Sequence, residues 1–205
     1  MANQPVSAEL AVVLHALTDW LAHSRVEYSF IGGVAVSLLT QPRFTQDADL
    51  MAWLTLDECE NFLAQGQAFG FVSRSADQMA FARARRVLIV QHQLTQINVD
   101  ISLAALPFEE EMIKRATTVR PAEFELRLPT PEDLLISKVI ASRPKDLIDA
   151  ASVLTTYPDL DRTRVRNWVQ SFAEFLERPE MSNWLEGLFK QIPPTTKSPK
   201  SREKK

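Results

Sequence analysis

Up to about residue 130, short apolar runs typical of strands alternate with longer stretches whose apolar residues recur at helical spacing. Strands are predicted over residues 27–31, 47–53, 86–92, 96–102 and 123–128. Helices are predicted over residues 7–25, 34–39 and 108–116. A further helix is predicted to begin at Thr55, as its cap, and to end at Gly66 or Gly70. The apolar runs on either side of residues 93–95 predict a β-hairpin, and Ser7 is a plausible cap for the first helix.

From about residue 130 onward, the spacing of apolar residues is helical only. The sequence Thr130-Pro131-Glu132-Asp133 favours a helix start, because Thr can cap the helix, Pro suits its first position and the acids complement its dipole. Further helices are predicted over residues 144–157, 161–177 and 179–192. The expected organisation is an α/β (α+β) fold with a mixed central sheet flanked by helices over residues 1–129, a helical subdomain packed on it over 130–192, and a disordered basic tail over 193–205.

The net charge of −3 argues against a protein that coats nucleic acid through its overall charge. The net charge does not exclude a local basic patch on the surface. Arg83, Arg85 and Arg86, with Arg74 not far away, form the densest arginine cluster in the part predicted to fold. These side chains either contact an RNA backbone or form an ordinary solvated surface.

The chain contains one cysteine, Cys59, which excludes an intramolecular disulfide framework and a cysteine-rich zinc site. Its surroundings indicate a small structural residue within a helix. No apolar stretch reaches the roughly 18 residues that a membrane span needs, and the first residues lack the pattern of a signal peptide. We therefore expect a cytoplasmic protein with no membrane partner.

Asp47 and Asp49 are two residues apart on the second predicted strand, so both side chains should project to the same face. Neighbouring carboxylates repel each other unless a cation lies between them, and Mg²⁺ prefers hard oxygen ligands of this kind. The alternative is a pair of solvent-facing acids, because Asp-x-Asp is a common pattern. The surrounding residues decide between the two interpretations.

Gly32 and Gly33 end the first predicted strand and open the helix that follows. This position places bare backbone amides and a helix N-terminus close together, which suits a phosphate group. The alternative is a simple strand-to-helix turn, which glycines also serve. Only five glycines occur in the chain, so an adjacent pair favours a phosphate-binding turn.

Asp100 is embedded in an otherwise apolar predicted strand, where an acid is costly unless it is exposed, paired or bound to a metal. It either lies on an exposed face, opposite Val99 and Ile101, or joins Asp47 and Asp49 in a metal site. Three carboxylates from two neighbouring strands suit a metal-assisted phosphoryl-type transfer. Two would hold the metal, and the third would help to deprotonate an incoming hydroxyl.

Lys138 lies inside the apolar arc of the helix that begins at Pro131. A lysine at such a position either extends its ammonium group to solvent or points at an anion such as a triphosphate. Asp146 and Asp149 follow near the start of the next predicted helix. They are candidates for the same site, although acids there also simply complement the helix dipole.

Together these residues resemble the nucleotidyltransferase superfamily that shares the polymerase-β-like minimal fold, with its glycine turn, Asp-x-Asp and third Asp on a later strand. Here thirteen residues separate the Gly32-Gly33 turn from Asp47. The sharper similarity is to the AbiEii-like branch, the toxin half of certain bacterial toxin–antitoxin pairs. It extends over residues 27–156. The residues that carry it are Arg43, Thr45, Asp47, Asp49, Pro131, Asp133, Leu134, Lys138, Arg143, Lys145 and Asp146.

The resemblance implies a nucleotidyltransferase fold and a Mg²⁺-dependent enzyme, with Mn²⁺ as an alternative ion. Such an enzyme moves an NMP group from an NTP, such as ATP, to a hydroxyl acceptor and releases pyrophosphate. The implied metal ligands and catalytic residues are Asp47, Asp49 and Asp100. The implied nucleotide-binding residues are Gly32, Gly33, Arg43, Thr45, Lys138 and Asp146. The implied acceptor is the 3′ end of a tRNA or a protein, and a cognate antitoxin protein is an expected partner.

One position departs from the family pattern. Many members carry Ser where this chain has Gly33, and the serine hydroxyl can contact a phosphate that Gly33 contacts only through its backbone. Three alternatives to a macromolecule-modifying enzyme also stay open. They are an inactive relative that binds a nucleotide or a protein, a small-molecule (antibiotic-type) nucleotidyltransferase, and a plain α/β scaffold with surface acids.

Overall fold

A computed structural model describes residues 6–42, 45–121 and 124–195 of the chain. By compactness, the chain divides into two units, Met1–Leu134 and Leu135–Lys205. The domain boundaries expected after residues 129 and 192 remain predictions. Most of the tail that was predicted to be disordered, residues 196–205, lies outside the described residues.

Strands and helices follow one another along the first unit. The strands are β1 (Tyr28–Ile31), β2 (Ala48–Ala52), β3 (Phe71–Ser73), β4 (Val87–His92), β5 (Asn98–Leu103), β6 (Thr117–Val119) and β7 (Leu126–Leu128). The helices are α1 (Ala8–His23), α2 (Gly32–Leu39), α3 (Cys59–Gly66), α4 (Gln78–Arg85) and α5 (Pro107–Arg115), with a 3-10 turn at Gln67–Phe69. The mixed α/β architecture is confirmed, although β3, α4 and β6 were not predicted.

Five of the strands form one mixed sheet in the order β1-β2-β5-β4-β3. β2 and β5 are parallel neighbours, whereas the other three pairings are antiparallel. The predicted hairpin is the β4–β5 pair. β6 and β7 form a separate antiparallel ribbon. The central position of β2 and β5 matters most for function, because they carry the candidate aspartates.

The central strands of the sheet have one buried and one half-buried face. Every second residue of β2, β4 and β5 is buried, as the two-residue period of a strand requires. The buried set is Ala48, Leu50, Ala52, Leu88, Val90, His92, Val99, Ile101 and Leu103. The intervening side chains, among them Asp49 and Asp100, therefore point away from the core.

Trp20 of α1 is fully buried in the first unit. Its indole stacks on the rings of Phe62 and Phe71, with centroids 4.1 and 5.2 Å away, and its Nε1 donates to the Phe62 carbonyl over 3.1 Å. α1 begins where predicted, because the Ser7 hydroxyl accepts a hydrogen bond from the Leu10 amide over 3.1 Å. These contacts fix α1 and α3 to the sheet.

Helix α6 (Pro131–Ala141) spans the boundary between the units. The second unit continues with α7 (Pro144–Thr156), α8 (Arg162–Phe175) and α9 (Glu180–Gln191). The guanidinium groups of Arg162 and Arg166 lie over the Phe189 ring at 4.7 and 4.9 Å from its centroid, which joins α8 to α9. None of the helices in the described part of the chain has the length and apolar character that a membrane crossing needs.

Candidate active site

Asp49 and Asp100 lie directly opposite each other on the parallel strands β2 and β5. Neighbouring strands are about 4.8 Å apart, and partners in register project to the same face. Both residues belong to the half-buried face of the sheet. The two carboxylates therefore stand side by side on adjoining strands, on the face away from Val99 and Ile101.

Asp47 immediately precedes β2 and is exposed, so the predicted strand begins one residue too early. The Thr45 hydroxyl donates to the backbone carbonyl of Asp47 over 3.2 Å, which helps to shape the segment that enters the strand. Arg43, predicted to contact the nucleotide, lies outside the described residues.

Gly32 lies against the carboxyl group of Asp49. Its φ is +61°, a left-handed conformation that other residues adopt only with strain. A Cβ at this position would overlap the Asp49 carboxylate and lie 2.8 Å from its Cγ. The register explains this closeness, because Ile31 pairs with Asp49 across β1 and β2. Glycine is therefore required here both by backbone conformation and by space.

Gly33 is buried as the second residue of α2, one position after the close contact. Ile31, which precedes the helix, has no side chain that can cap it. The backbone amides in the first turn of such a helix suit an anionic ligand. The glycine turn and the Asp49–Asp100 pair thus meet at one end of β1 and β2.

Arg74 forms an ion pair with Asp100, between its Nη2 and the Asp100 Oδ1. The side chains of Arg74 and Asp100 are 28% and 47% exposed. Sequence reasoning placed Arg74 only near a basic cluster and missed this contact, because 26 positions separate the two residues. One candidate carboxylate therefore already carries a cationic partner.

Two of the four arginines in the predicted cluster, Arg74 and Arg86, are held by contacts within the protein. Arg86 adopts φ +53° after α4, and its guanidinium donates to the carbonyls of Leu103 and Ala104 over 3.3 and 3.2 Å. Arg74 is held by Asp100. Of the four arginines, Arg83 and Arg85 of α4 remain as exposed side chains without such a backbone role.

Across residues 6–42, 45–121 and 124–195, no three His, Cys, Asp or Glu side chains are gathered closely enough to hold a metal ion. The three-aspartate metal site therefore stays a prediction. The donor chemistry nevertheless fits Mg²⁺, since Asp49 and Asp100 offer hard oxygen ligands from one face of the sheet. In this structure the cation that pairs with Asp100 is the guanidinium group of Arg74.

In the second unit, Lys138 is buried, with only 4% of its surface exposed. Its Nζ lies 2.9 Å from the Asp146 Oδ1 and 2.9 Å from the Asp149 Oδ2. The ammonium group is therefore not extended to solvent, which was one of the two alternatives drawn from the sequence. The other alternative, a contact with the triphosphate, stays a prediction. We call Lys138, Asp146 and Asp149 the lysine cluster. Their roles toward a nucleotide remain predictions.

Arg143 also binds Asp146, with 2.5 Å between its Nε and the Asp146 Oδ2. Burial alone would raise the pKa of Asp146. The hydrogen bonds and charges of Arg143 and Lys138 together outweigh burial and hold the pKa below its usual range. Asp146 is therefore a firmly ionised anchor for both cations at neutral pH.

Comparison with known proteins identifies one protein family. The family described as the nucleotidyl transferase AbiEii toxin of a type IV toxin–antitoxin system matches residues 15–203. No curated protein sequence is a significant match to the chain.

Solved structures with the same architecture are nucleotidyltransferase-like. An antigenic nucleotidyltransferase-like protein from Paracoccidioides brasiliensis has 20% identity and a TM-score of 0.56, covering 88% of this chain and 93% of its own. The antibiotic-resistance factor ANT(2″)-Ia has 13% identity and a TM-score of 0.55, covering 86% and 98%. The lincosamide antibiotic adenylyltransferase LnuA has 15% identity and a TM-score of 0.51, covering 74% and 98%. At such identities the likeness shows the fold, and it confirms the predicted one.

Proposed function

From the premise that the chain belongs to the AbiEii family of nucleotidyltransferase toxins, as the match over residues 15–203 shows, we propose that it uses a divalent cation to move an NMP group from an NTP to a hydroxyl acceptor. The enzyme class itself follows from the family. The nucleotide, the ion and the acceptor are the proposal.

One observation carries the proposal for the site: Asp49 and Asp100 pair in register on the half-buried face of the sheet, with Gly32 against the Asp49 carboxyl group. A plain scaffold would not need paired acids beside a glycine whose missing side chain makes room for one of them. The pairing is costly in an empty protein and favourable around a cation.

In the proposed reaction, a bond forms between the acceptor oxygen and the α-phosphorus, and the bond from that phosphorus to the bridging oxygen of the β-phosphate breaks. Asp100 accepts the proton of the attacking hydroxyl. The backbone amides at the start of α2, including that of Gly33, donate to phosphate oxygens. Mg²⁺, held by Asp47, Asp49 and Asp100, would supply charge neutralisation for the triphosphate and the departing pyrophosphate.

The acceptor we propose is the 3′ end of a tRNA or a protein hydroxyl, and the proposed partner is a cognate antitoxin protein. The net charge of −3 argues against binding to RNA through overall charge, and Arg74 of the arginine cluster is engaged by Asp100. RNA recognition would thus depend on a few local contacts and not on overall charge.

The proposal is tested by incubating the full chain with each of the four NTPs in turn, labelled at the α-phosphate, in the presence of Mg²⁺. Total tRNA, total protein or neither is added as acceptor. We expect label from one NTP to reach a macromolecule and to disappear with EDTA. The same NTP labelled at the γ-phosphate should transfer nothing, which separates nucleotidyl from phosphoryl transfer.

Asp49→Asn should lower the labelling rate at least about 100-fold, because loss of a metal ligand costs at least as much as loss of its supporting contacts. Asp57→Asn, the same change at an exposed acid before α3, should leave the rate unchanged. If label reaches only small molecules, the proposed macromolecular acceptor is wrong and the acceptor is a small molecule. Nucleotide binding without any transfer would establish the inactive-module alternative instead.

A further inference from the structure

Arg74 and the two strand aspartates lie in one row across the sheet. The Arg74 amide, one position beyond β3, donates to the Ile89 carbonyl over 3.0 Å. Ile89 pairs in register with Asp100, and Asp100 pairs with Asp49. Partners in register share a face, so the Arg74 side chain reaches past Ile89 to the carboxylate of Asp100.

The geometry points to Arg74 as an internal counter-ion for Asp100, which a divalent cation must displace before Asp100 can become a metal ligand. We propose this contact as a brake on metal binding. It rests on the proposed function, since it assumes that Asp100 serves the metal site.

Electrostatics explains why such a counter-ion is needed. Two carboxylates on adjoining strands repel each other when no cation is present. A guanidinium group beside one of them removes much of that repulsion. Arg74 approaches Asp100 from the β4 side, whereas Asp49 lies on the β2 side. Arg74 therefore stabilises the metal-free protein at the expense of the metal-bound one.

Exposure shows that the Arg74–Asp100 pair can open. The side chain of Arg74 is 28% exposed and that of Asp100 is 47% exposed. Each can therefore exchange its partner for water at modest cost. The lysine cluster differs, because Lys138 and Asp146 are 5% and 0% exposed in their ion pair. A buried pair of that kind is a fixed structural element, whereas the Arg74 pair is exchangeable.

The test measures Mn²⁺ binding to the nucleotide-free full chain, by counting free Mn²⁺ with electron paramagnetic resonance. Arg74→Gln should bind Mn²⁺ about three to five times more tightly than the unaltered chain, the size that a half-exposed ion pair supports. Arg74→Lys, which keeps the charge but loses the planar fork, should fall between the two. Asp49→Asn in the Arg74→Gln background should abolish the gain, which places the ion at the aspartates.

Arg83→Gln is the matched control, because it removes the same charge from an exposed position on α4. It should bind Mn²⁺ as the unaltered chain does, so a general change in net charge cannot explain the result. In parallel, Mn²⁺ should raise the melting temperature of Arg74→Gln more than that of the unaltered chain.

Equal or weaker Mn²⁺ binding by Arg74→Gln, including undetectable binding in both proteins, overturns the inference. If Arg74→Gln fails to fold, Arg74→Lys decides by the same criterion. Failure of the proposed function looks different. In that case Arg74→Gln would still gain Mn²⁺ affinity through Asp49, while no NTP would label any acceptor.

Discussion

Gly32 combines two demands that no other residue type meets. Its φ of +61° lies in the left-handed region, and the Asp49 carboxyl group fills the space that a Cβ would take. Adding one methyl group therefore acts on the backbone and on a candidate metal ligand together.

Gly32→Ala should lower the nucleotidyl transfer rate by at least about tenfold and destabilise the fold by about 1–3 kcal/mol, because the added Cβ displaces the Asp49 carboxylate and strains residue 32. Activity assays with urea unfolding measure both effects. The matched control is Gly187→Ala in α9, where a Cβ would meet no atom of the described chain within 4 Å. It should leave activity unchanged and add up to about 1 kcal/mol through helix propensity. Full activity of Gly32→Ala would contradict the role of this contact.

At this scale, the sequence was informative where neighbours in the chain are also neighbours in space. The glycine pair could be placed near Asp49 because β1 ends at Ile31, directly before Gly32, and pairs with β2, which carries Asp49. The partner of Asp100 could not be found, because β3 has only three residues and no sequence pattern connects Arg74 to β5. The pairing of three strands, and not local propensity, brings the two together.

Helices α6 and α7 meet through the lysine cluster, and this contact should make their stability depend on pH. The pKa of Asp146 is held below its ordinary value of 3.8. A depressed pKa in the folded state means that the stabilisation is complete above the unfolded value and is lost as the pH falls through the folded value. The contribution should therefore decline only below about pH 4.

Asp146→Asn should cost about 3–5 kcal/mol at pH 7, since it leaves a buried lysine with less compensating charge. The difference from the unaltered chain should shrink at pH 3, below the ordinary pKa of 3.8, because the unfolded chain then takes up a proton at Asp146 more readily than the folded chain does. Urea unfolding at the two pH values measures the change. Asp57→Asn, an exposed acid, should show no comparable penalty at pH 7. A penalty for Asp146→Asn that is the same at both pH values would contradict the assignment.

Among the elements, long periodic segments were predicted, whereas three short ones, β3, α4 and β6, were not. α1 was found with its cap because its apolar residues recur over sixteen positions. α4 was missed because it has only eight residues, carries arginines at exposed positions, and has only two large apolar side chains, Met79 and Phe81. β3 and β6 have three residues each, and only their pairing partners make them strands. Tertiary contact decides such elements.

For the molecule as a whole, the single thiol of Cys59 provides a measure of unfolding. Cys59 is fully buried, and its Sγ lies 3.2 Å from the Thr55 carbonyl. Burial raises the pKa of Cys59 from 9.0 to about 11, because the thiolate is the charged form and is disfavoured away from water. Very little nucleophilic thiolate is therefore present at neutral pH.

We expect the native protein to react with a disulfide reagent such as DTNB at pH 7 at least about 100-fold more slowly than glutathione does, and to reach the rate of an ordinary thiol in strong denaturant. Absorbance of the released thiolate measures the rate. The denaturant concentration at which the thiol becomes reactive reports on the unit Met1–Leu134, which contains Cys59. Rapid stoichiometric reaction of the native protein would contradict the buried placement.

The pairing of Arg74 with Asp100 also has a consequence for how positions 74 and 100 evolve. In a lineage under selection for transfer activity, the arginine is tolerated because the acid beside it is retained. Once a lineage gives up catalysis and Asp100 drifts to a neutral residue, the half-exposed guanidinium loses its partner and nothing selects for it. Arginine at position 74 should therefore accompany an acid at position 100 more often than it accompanies a neutral residue there, which an alignment of the family would measure.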